Sequence, residues 1–527
     1  MSARESIELE LKFDVDPDDE TPDLTPLVSE GGRVAEPETY QLVATYLDTE
    51  QLDLAARRIT LRRRTGGTDA GWHLKRPGDG AARRELTVPF DDAPESGPVP
   101  DEIRRAILAI IRDRELTPVA TLTTERTVRR LHGTGDEPIA EFCDDRVTGT
   151  ALLTGQTQQW REWEFELLST SSRSGGDDST GGSDNSTSGG DDSASEGDDS
   201  TGGKSGKKLL RSAGKLLRAA GARKASSASK LARTLGSEPR PPAAPARLGK
   251  KARGLDLVMA SVVRHHQELL DTDPLVRENA PDAVHRMRVA ARKLRSVLIS
   301  FPAVLDPDSV QGVTDELAEL GGILGAVRDR EVALAINTGL VADEQVPDDL
   351  LTALIDDEAA ALRRADKSLH YALSTDRYLG LLGALDALVT DPVPGPDAHR
   401  SADKVAAAGI AEARKHLRKA ERRLDDLEPW SDEWIDQVHR IRKKAKALRY
   451  TADAAAPLRS PKAAKTARRA AHIQSLLGDF QDTVVNREHF AELTSRGLSP
   501  DAQFVLGRLD AREEARGIVA VEDYLDG

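Results

Sequence analysis

The chain has 527 residues, 31% charged and 38% hydrophobic, with 89 acidic against 74 basic side chains and a net charge of −15. Taken whole, that acidity argues against a polyanion partner such as nucleic acid. A single cysteine, Cys143, excludes internal disulfides and cysteine-based metal centres. The length corresponds to about two to four domains. No run approaches the roughly 18 apolar residues of a membrane span. The first residues run into alternating charges with no apolar h-region. The expectation is a cytoplasmic protein with no membrane partner.

In chain order, short segments at 7–15, 41–47, 59–64, 71–75, 83–88, 125–131, 139–143 and 159–168 read as strands, several with period two. Turn residues such as Gly66-Gly67 and Pro77-Gly78 separate some of them. Between them, 101–114 reads as an amphipathic helix with Ile103, Ile107, Ile110 and Ile111 on one side. Residues 169–203 are almost all Ser, Gly, Thr and Asp, too poor in apolar groups to offset chain entropy. A Pro-rich stretch at 238–245 marks the hinge between halves, and 254–527 reads as helices throughout. Charge is unevenly spread: −13 over 1–168, −7 over 169–203, +14 over 204–253 and −9 over 254–527.

The strand half places charge where a core is expected. Glu8, Glu10 and Lys12 alternate with Leu9 and Leu11, so in a strand the charged groups share one face. Glu162, Glu164 and Glu166 alternate with Trp163, Phe165 and Leu167 in the same way. Arg62 and Arg64 repeat the device with positive charge, and Lys75, Arg83 and Arg126 join them from other strands. The plainest reading of one such strand turns its charges to water. The sorting by sign argues otherwise, because some strands carry carboxylates and others Arg and Lys. Closing the sheet into a barrel brings both onto a polar interior. There, carboxylates suit a hard divalent cation, and Arg and Lys suit phosphate oxygens. A metal-bridged triphosphate needs both.

Glu8-Leu9-Glu10-Leu11-Lys12, Leu61-Arg62-Arg63-Arg64, Trp72-His73-Leu74-Lys75, Arg83-Arg84-Glu85, Glu125-Arg126-Thr127, Asp144-Asp145 and Trp163-Glu164-Phe165-Glu166 follow one another in the order of a known family. The set resembles CYTH domains, the triphosphate tunnel metalloenzymes, whose ExExK signature the first segment matches. The resemblance covers nearly all of 1–168. It continues over 208–235, where Ser229-Lys230-Leu231 is similar to the family's closing Ser-Lys-Leu-like motif. It therefore implies a CYTH region over 1–236 with 169–203 as an insert, then a linker over 237–253. It implies an eight-stranded antiparallel barrel around a tunnel. Glu8, Glu10, Glu164 and Glu166 would coordinate Mg2+ or Mn2+, and Lys12, Arg62, Arg64, Lys75, Arg83 and Arg126 would bind the phosphates. Glu8, Glu10 and Lys12 form the catalytic set, with Asp144 or a glutamate orienting the attacking water. Lys230 is either a further phosphate contact or part of an exposed helix. Glu162 is placed at the tunnel mouth, and a one-residue register slip would exchange Arg83 for Arg84. The implied reaction is hydrolysis of a short linear triphosphate, inorganic tripolyphosphate first. Nucleoside or thiamine triphosphate hydrolysis and adenylate cyclisation lie within the family's range.

The helical half contains a duplication. Residues 284–295 match 438–449, and Leu324-Gly325-Ala326-Val327-Arg328-Asp329 matches Leu477-Gly478-Asp479-Phe480-Gln481-Asp482, at offsets of 154 and 153. His285, Arg288, Arg292 and Arg295 stand at 0, +3, +7 and +10. At about 100° per residue they occupy an arc of about 80° on one helix side. His439, Arg442, Lys446 and Arg449 repeat the spacing, while Met287, Ala291, Leu294 and Leu298 take the neighbouring, core-facing arc. Most charge runs are solvated faces. Here few acids stand within either stripe to make i,i+4 pairs, and like charge on one line repels itself unless a polyanion relieves it. The histidines have only basic residues at helical contact spacing, which favours phosphate hydrogen bonding, or a cap on the stripe, over metal ligation.

His285-Arg286-Met287-Arg288 and His439-Arg440-Ile441-Arg442 resemble the signature helices of the CHAD domain, over about 254–527. That resemblance implies inorganic polyphosphate as partner, gripped across a basic groove, and association with polyphosphate granules. Arg414, Arg418 and Arg422 either widen the groove or form a solvated face. His265, His266, His472 and His489 take no part. The expected whole is an α+β multidomain chain: an eight-stranded antiparallel tunnel with helices, then an all-α duplicated bundle. Its expected function is metal-dependent triphosphate hydrolysis joined to polyphosphate binding. The alternative is a non-catalytic polyphosphate-binding protein. Stripes without interleaved aromatics argue against nucleic acid.

Overall fold

The computed structural model describes residues 4–78, 82–90, 97–168, 204–236, 248–342 and 344–526, with residues 239, 241 and 244. The acidic segment 169–203 and most of the Pro-rich stretch lie outside the described residues. The chain divides into two compact units between Pro242 and Ala243.

Eight long strands build the first unit: β1 (Arg4–Val15), β2 (Glu38–Asp48), β3 (Thr60–Thr65), β4 (Gly71–Pro77), β5 (Arg83–Pro89), β6 (Thr117–His132), β7 (Pro138–Ala151) and β8 (Thr157–Leu167). They pair antiparallel in the order β1, β5, β4, β3, β2, β6, β7, β8, and β8 pairs back onto β1, closing the barrel. All eight expected strands are present. β6 and β7 run well beyond the expected 125–131 and 139–143. Thr121, Thr123 and Thr124 fit a pleated surface because they are β-branched, but hydropathy alternation does not register them. Two short strands, Arg33–Val34 on β6 and Arg223–Lys224 on β1, carry no such signal either.

Large apolar side chains face outward, beneath helices. α1 (Asp101–Ile111) buries Ile103, Ile107 and Ile111 against Leu61, Trp72 and Leu74. It stops short of the expected residue 114 because Arg112 turns to a φ of 56°. α2 (Lys204–Ala219) lays Ala213 and Leu217 over Phe13, Phe142, Trp163 and Phe165. With both apolar faces covered, the alternate residues have only the interior left to face. α3 (Lys230–Leu235) is capped by Ser229, whose hydroxyl accepts from the Ala232 amide at 3.1 Å. Its Leu231 packs with Ala44, Tyr46, Leu122, Val147 and Trp160. The helix approaches β7 so closely that a Cβ at Gly149 would collide with the Thr234 hydroxyl.

The second unit is helical: α4 (Gly254–Arg277), α5 (Ala283–Ser300), α6 (Pro307–Val341), α7 (Asp357–Ala372), α8 (Asp376–Thr390), α9 (Ala402–Leu424), α10 (Asp432–Ala454), α11 (Pro461–Thr494) and α12 (Pro500–Asp526). The duplication is visible in the run α4–α5–α6 against α9–α10–α11. Both long helices open with a cap followed by proline: Asp306 accepts from the Ser309 amide, Ser460 from the Ala463 amide. α5 packs against α10 and α4 against α9. Met287, Ala291, Leu294 and Leu298 are buried, as their arc requires. Among the described residues, no helix is long and apolar enough to cross a membrane.

Candidate functional site

Register decides which side chains enter the barrel. Directly paired residues on neighbouring strands share a face. Glu8 stands opposite Arg83, Glu10 opposite Glu166 and Lys12 opposite Glu164. Arg62 pairs with His73 and Tyr46, Lys75 with Glu85, and Arg126 with Asp145. All of these side chains but Asp145 line one cavity of about 310 Å³. Of the residues expected from sequence, Glu8, Glu10, Lys12, Arg62, Arg64, Lys75, Arg83, Arg126, Glu164, Glu166 and Lys230 all line it.

Asp144 does not. Its strand neighbour on β6 is Thr127, whereas the inward Arg126 pairs with Asp145. The Asp144 carboxylate instead accepts from Arg161 Nε and Nη2 at 2.8 and 2.7 Å and from the Thr21 hydroxyl at 3.1 Å. Asp145, fully buried, takes the inward place. The same parity separates Arg83, which lines the cavity, from Arg84, which pairs with Glu5 at 3.3 Å. Glu162, placed by sequence at a mouth, is buried beside Lys230 and accepts from Trp160 Nε1 at 2.6 Å.

Two carboxylate groups, one reaching the cavity through Glu164 and the other through Glu8 and Glu166, stand in different electrostatic states. Asp145, Glu162 and Glu164 bring oxygens within 4.8 Å of one another. Lys230 Nζ already sits among them, at 2.9, 2.6 and 2.8 Å. Arg126 adds two bonds to Asp145 at 2.7 and 2.6 Å and one to Glu164 at 2.6 Å, and Lys12 reaches Glu164 at 2.8 Å. Burial pushes Glu164 up, but Lys12, Lys230 and Arg126 together hold it well below the usual carboxylate range. The Glu8 and Glu166 group is under-compensated. Burial and a hydrogen bond with Glu85 push Glu8 up to about 8, although Lys75 Nζ is 2.6 Å away. Burial pushes Glu166 up to about 7 against the pull of Lys75, with Glu10 and Glu164 adding to the rise. On the basic side, Arg62 Nε and Arg64 Nε are buried with no hydrogen-bond partner. Such donors are costly unless an acceptor enters.

In the helical unit the two stripes come together. Burial, then Arg442 of its own helix and Arg292 and Arg288 of α5, push the Lys446 ammonium down to about 8. Burial also lowers Arg292, with Arg288 and Arg449 adding to the fall, while its guanidinium stacks 5.3 Å from the Tyr450 ring. Burial lowers both His285 and His439, and neighbouring Arg and Lys side chains lower them further. Arg292 Nε and Arg442 Nε are buried without partners. Arg295 turns to α6, donating to the Thr314 carbonyl at 3.2 Å, and Arg449 stands 3.6 Å from Asp453.

Models of two families match the chain: a CYTH domain over residues 6–178 and a CHAD domain over 260–491. An uncharacterized protein of Mycobacterium tuberculosis, from strains CDC 1551 and H37Rv alike, is 35% identical over 511 residues, covering 92% of this chain and 88% of its own. The chain belongs to the CYTH–CHAD proteins. Among solved structures, PptA from Streptomyces chartreusis is 19% identical, covering 52% of this chain and 99% of its own, with a TM-score of 0.44. The CHAD domain of the plant Ricinus communis is 23% identical, covering 53% and 92%, with a TM-score of 0.42.

Within this CYTH–CHAD chain, several cavity and groove residues carry no label from sequence reasoning. Glu85 lies between Lys75 and Arg62, at 3.8 and 3.7 Å. Its place two residues after Arg83 on one strand was the available signal. His73 sits with Nδ1 3.0 Å from Glu85 and Nε2 2.9 Å from the Asp69 carbonyl, and burial pushes it down to about 4. In the CHAD half, the second duplicated motif has a structural reason. Arg288 lies across Gly325 and Arg442 across Gly478, each guanidinium within van der Waals reach of where a Cβ would stand. Asp329 receives Arg288 Nη1 at 3.1 Å, and Asp482 feels Arg442 and Lys446 in the same way.

Proposed function

We propose that the tunnel hydrolyses a short linear triphosphate, inorganic tripolyphosphate first, with Mg2+ or Mn2+, and that the helical unit binds inorganic polyphosphate. The observation that carries the first half is the lining of the cavity: seven Lys and Arg face seven Asp and Glu. A triphosphate entering a formally balanced site meets as much repulsion as attraction unless positive charge enters with it. The residues fit such an ion. Glu8 and Glu166 are held near neutral pH by burial and neighbouring carboxylates, the condition a divalent cation relieves. Glu8, Glu10 and Glu166 offer the hard oxygen donors that Mg2+ and Mn2+ take. The compact triad Asp145–Glu162–Glu164 is the poorer candidate, because Lys230 already neutralises it.

Bound there, a divalent ion supplies Lewis-acid polarisation of the phosphoryl oxygens. The chain's own residues do the rest. Arg62, Arg64, Arg83 and Lys75 bind the non-bridging oxygens, and the buried Nε donors of Arg62 and Arg64 gain the acceptors they lack. Arg126 and Lys12 are positioned by their bonds to Asp145 and Glu164 and stabilise charge developing on the transferred group. A glutamate of this ring orients the water. Asp144 is turned away and takes no part.

For the helical unit the supporting observation is the convergence of Arg288, Arg292, Arg442 and Lys446, with Lys446 and Arg292 lowered and the Arg292 and Arg442 Nε donors unmet. A chain of phosphates relieves both costs. The test is phosphate release from tripolyphosphate by the full chain with Mg2+ or Mn2+, together with equilibrium binding of long-chain polyphosphate. Release and binding support the reading. Absence of release from tripolyphosphate, nucleoside and thiamine triphosphates ends its catalytic part, and absence of polyphosphate binding ends the other.

A further inference from the structure

The second helical bundle contains a pocket of about 490 Å³ between α9, α10 and α11. Its rim is basic: Arg414 and Arg418 from α9, Lys462, Lys465 and Arg469 from α11. Its floor is aliphatic: Leu417, Leu448, Ala470 and Ile473. The pocket does not open on the doubled stripe. At about 100° per residue, Leu448 lies about 100° around α10 from Arg449 and about 120° or more from His439, Arg442 and Lys446. Of the two readings open for Arg414 and Arg418, a wider stripe groove or a solvated face, the first does not fit this placement: they line a separate pocket.

Three observations point to an occupant. First, the duplication makes the first bundle an internal control. Residues 307–320, which open α6, carry four acids and no Lys or Arg, whereas 461–474, which open α11, carry four Lys and Arg and no acid. Two of these acids share a cation in place, Arg377 reaching Glu316 at 2.7 Å and Glu319 at 3.3 Å. Second, among the described residues no carboxylate lies within ion-pair distance of Arg418, Lys462, Lys465 or Arg469, and Arg414 donates to the Thr466 hydroxyl at 2.8 Å. The one carboxyl lining the pocket, Glu421, is raised by burial although Arg469 and Arg418 pull it down. Third, Lys462 and Lys465 stand in the opening turns of α11, where the helix dipole disfavours cations and where no acid balances them. Like charges gathered there repel one another until an anion enters. The aliphatic floor sets this place apart from a track for bare phosphate.

We propose that this pocket is a second anion site, separate from the stripe, for a small phosphorylated molecule with an apolar or heterocyclic body: phosphates on the Lys and Arg rim, the body on the Leu417–Leu448–Ile473 floor. ATP is the probe. The full chain, in EDTA so that metal-dependent turnover is silent, is photolabelled with 8-azido-ATP, and the labelled peptides are mapped by mass spectrometry. The expected label falls within 414–421 or 462–473. Lys465→Ala with Arg469→Ala lowers labelling there at least tenfold, with an unchanged circular dichroism melt and unchanged long-chain polyphosphate binding. Ile473→Ser lowers it severalfold. Tripolyphosphate, which has no body, competes at least tenfold more weakly than ATP. The proposal is overturned if these peptides stay unlabelled or the double variant labels normally. Equal competition by tripolyphosphate removes the role of the floor and overturns it too. Loss of long-chain polyphosphate binding in the double variant makes the pocket part of the polyphosphate track, and binding of phosphatidic-acid vesicles in place of ATP makes it a lipid site. Either result contradicts the assignment.

Discussion

The tunnel and the doubled stripe both gather Lys and Arg, yet they solve opposite problems. In the tunnel lining cations and carboxylates are equal in number, and several cations are locked in short bonds, as Lys230 is among Asp145, Glu162 and Glu164. In the stripe the acids stand at the margin, on α6, α11 and the last turn of α10, and the cations depress one another. A balanced, buried site gains net attraction for an anion only when a metal enters with it, and is little screened by salt. An unbalanced, half-exposed groove attracts a polyanion directly, and salt weakens it. The contrast teaches that the count of basic residues does not define an anion site. The state of their counter-charges does.

The comparison can be broken in several places. The largest effect is expected from Glu8→Gln with Glu10→Gln, which removes oxygen donors from the under-compensated group: phosphate release from tripolyphosphate should fall about 100-fold or more, with long-chain polyphosphate binding intact. Loss of both would mean the variant disturbs more than the tunnel. Next, Arg288→Ala with Arg442→Ala should weaken long-chain polyphosphate binding by roughly 100-fold or more, at about 1.5–3 kcal/mol for each of the two charge-assisted bonds, and flatten its salt dependence. Unchanged binding would remove the stripe from the account. Asp144→Asn should leave turnover per folded molecule unchanged while lowering stability by about 1–3 kcal/mol, since the buried Arg161 loses its carboxylate partner; Asp145→Asn should reduce turnover itself. The smallest effect concerns pH. With its pKa near 8 in the free protein, Lys446 is charged below that value and neutral above it. Its folded pKa lies below its unfolded one, so its charging costs stability below about pH 8 and that cost fades as pH rises. Polyphosphate binding should strengthen severalfold as pH falls through 8, with proton uptake seen by calorimetry in two buffers. Lys446→Met should remove that step.

Much of this architecture was legible because the signals were local. Period-two alternation marked β1 and β8, and the offset of 154 marked the two stripes. Alternation alone left the sign of the faces open. It gave Glu8 and Glu10 to one side of a strand without saying that α1 and α2 would cover the other and turn the charges inward. Register was the harder limit. Between the adjacent Asp144 and Asp145 the sequence offers no choice, and only the pairing of Asp145 with Arg126 across two strands makes one. Lys230 is legible as a motif, but its three carboxylate partners stand 66 to 85 residues away in the chain. The basic pocket of α11 was invisible as a site, because its cations come from two helices and look like solvated runs on each.

The most direct test compares the two anions with and without metal. Phosphate release from tripolyphosphate and equilibrium binding of long-chain polyphosphate are measured on the same full-length preparation, in EDTA and in excess Mg2+ or Mn2+, across a salt series. The account predicts release only with metal, nearly independent of salt, and polyphosphate binding that survives EDTA and falls steeply with salt. Release that persists in EDTA, or polyphosphate binding that requires the metal, would contradict it.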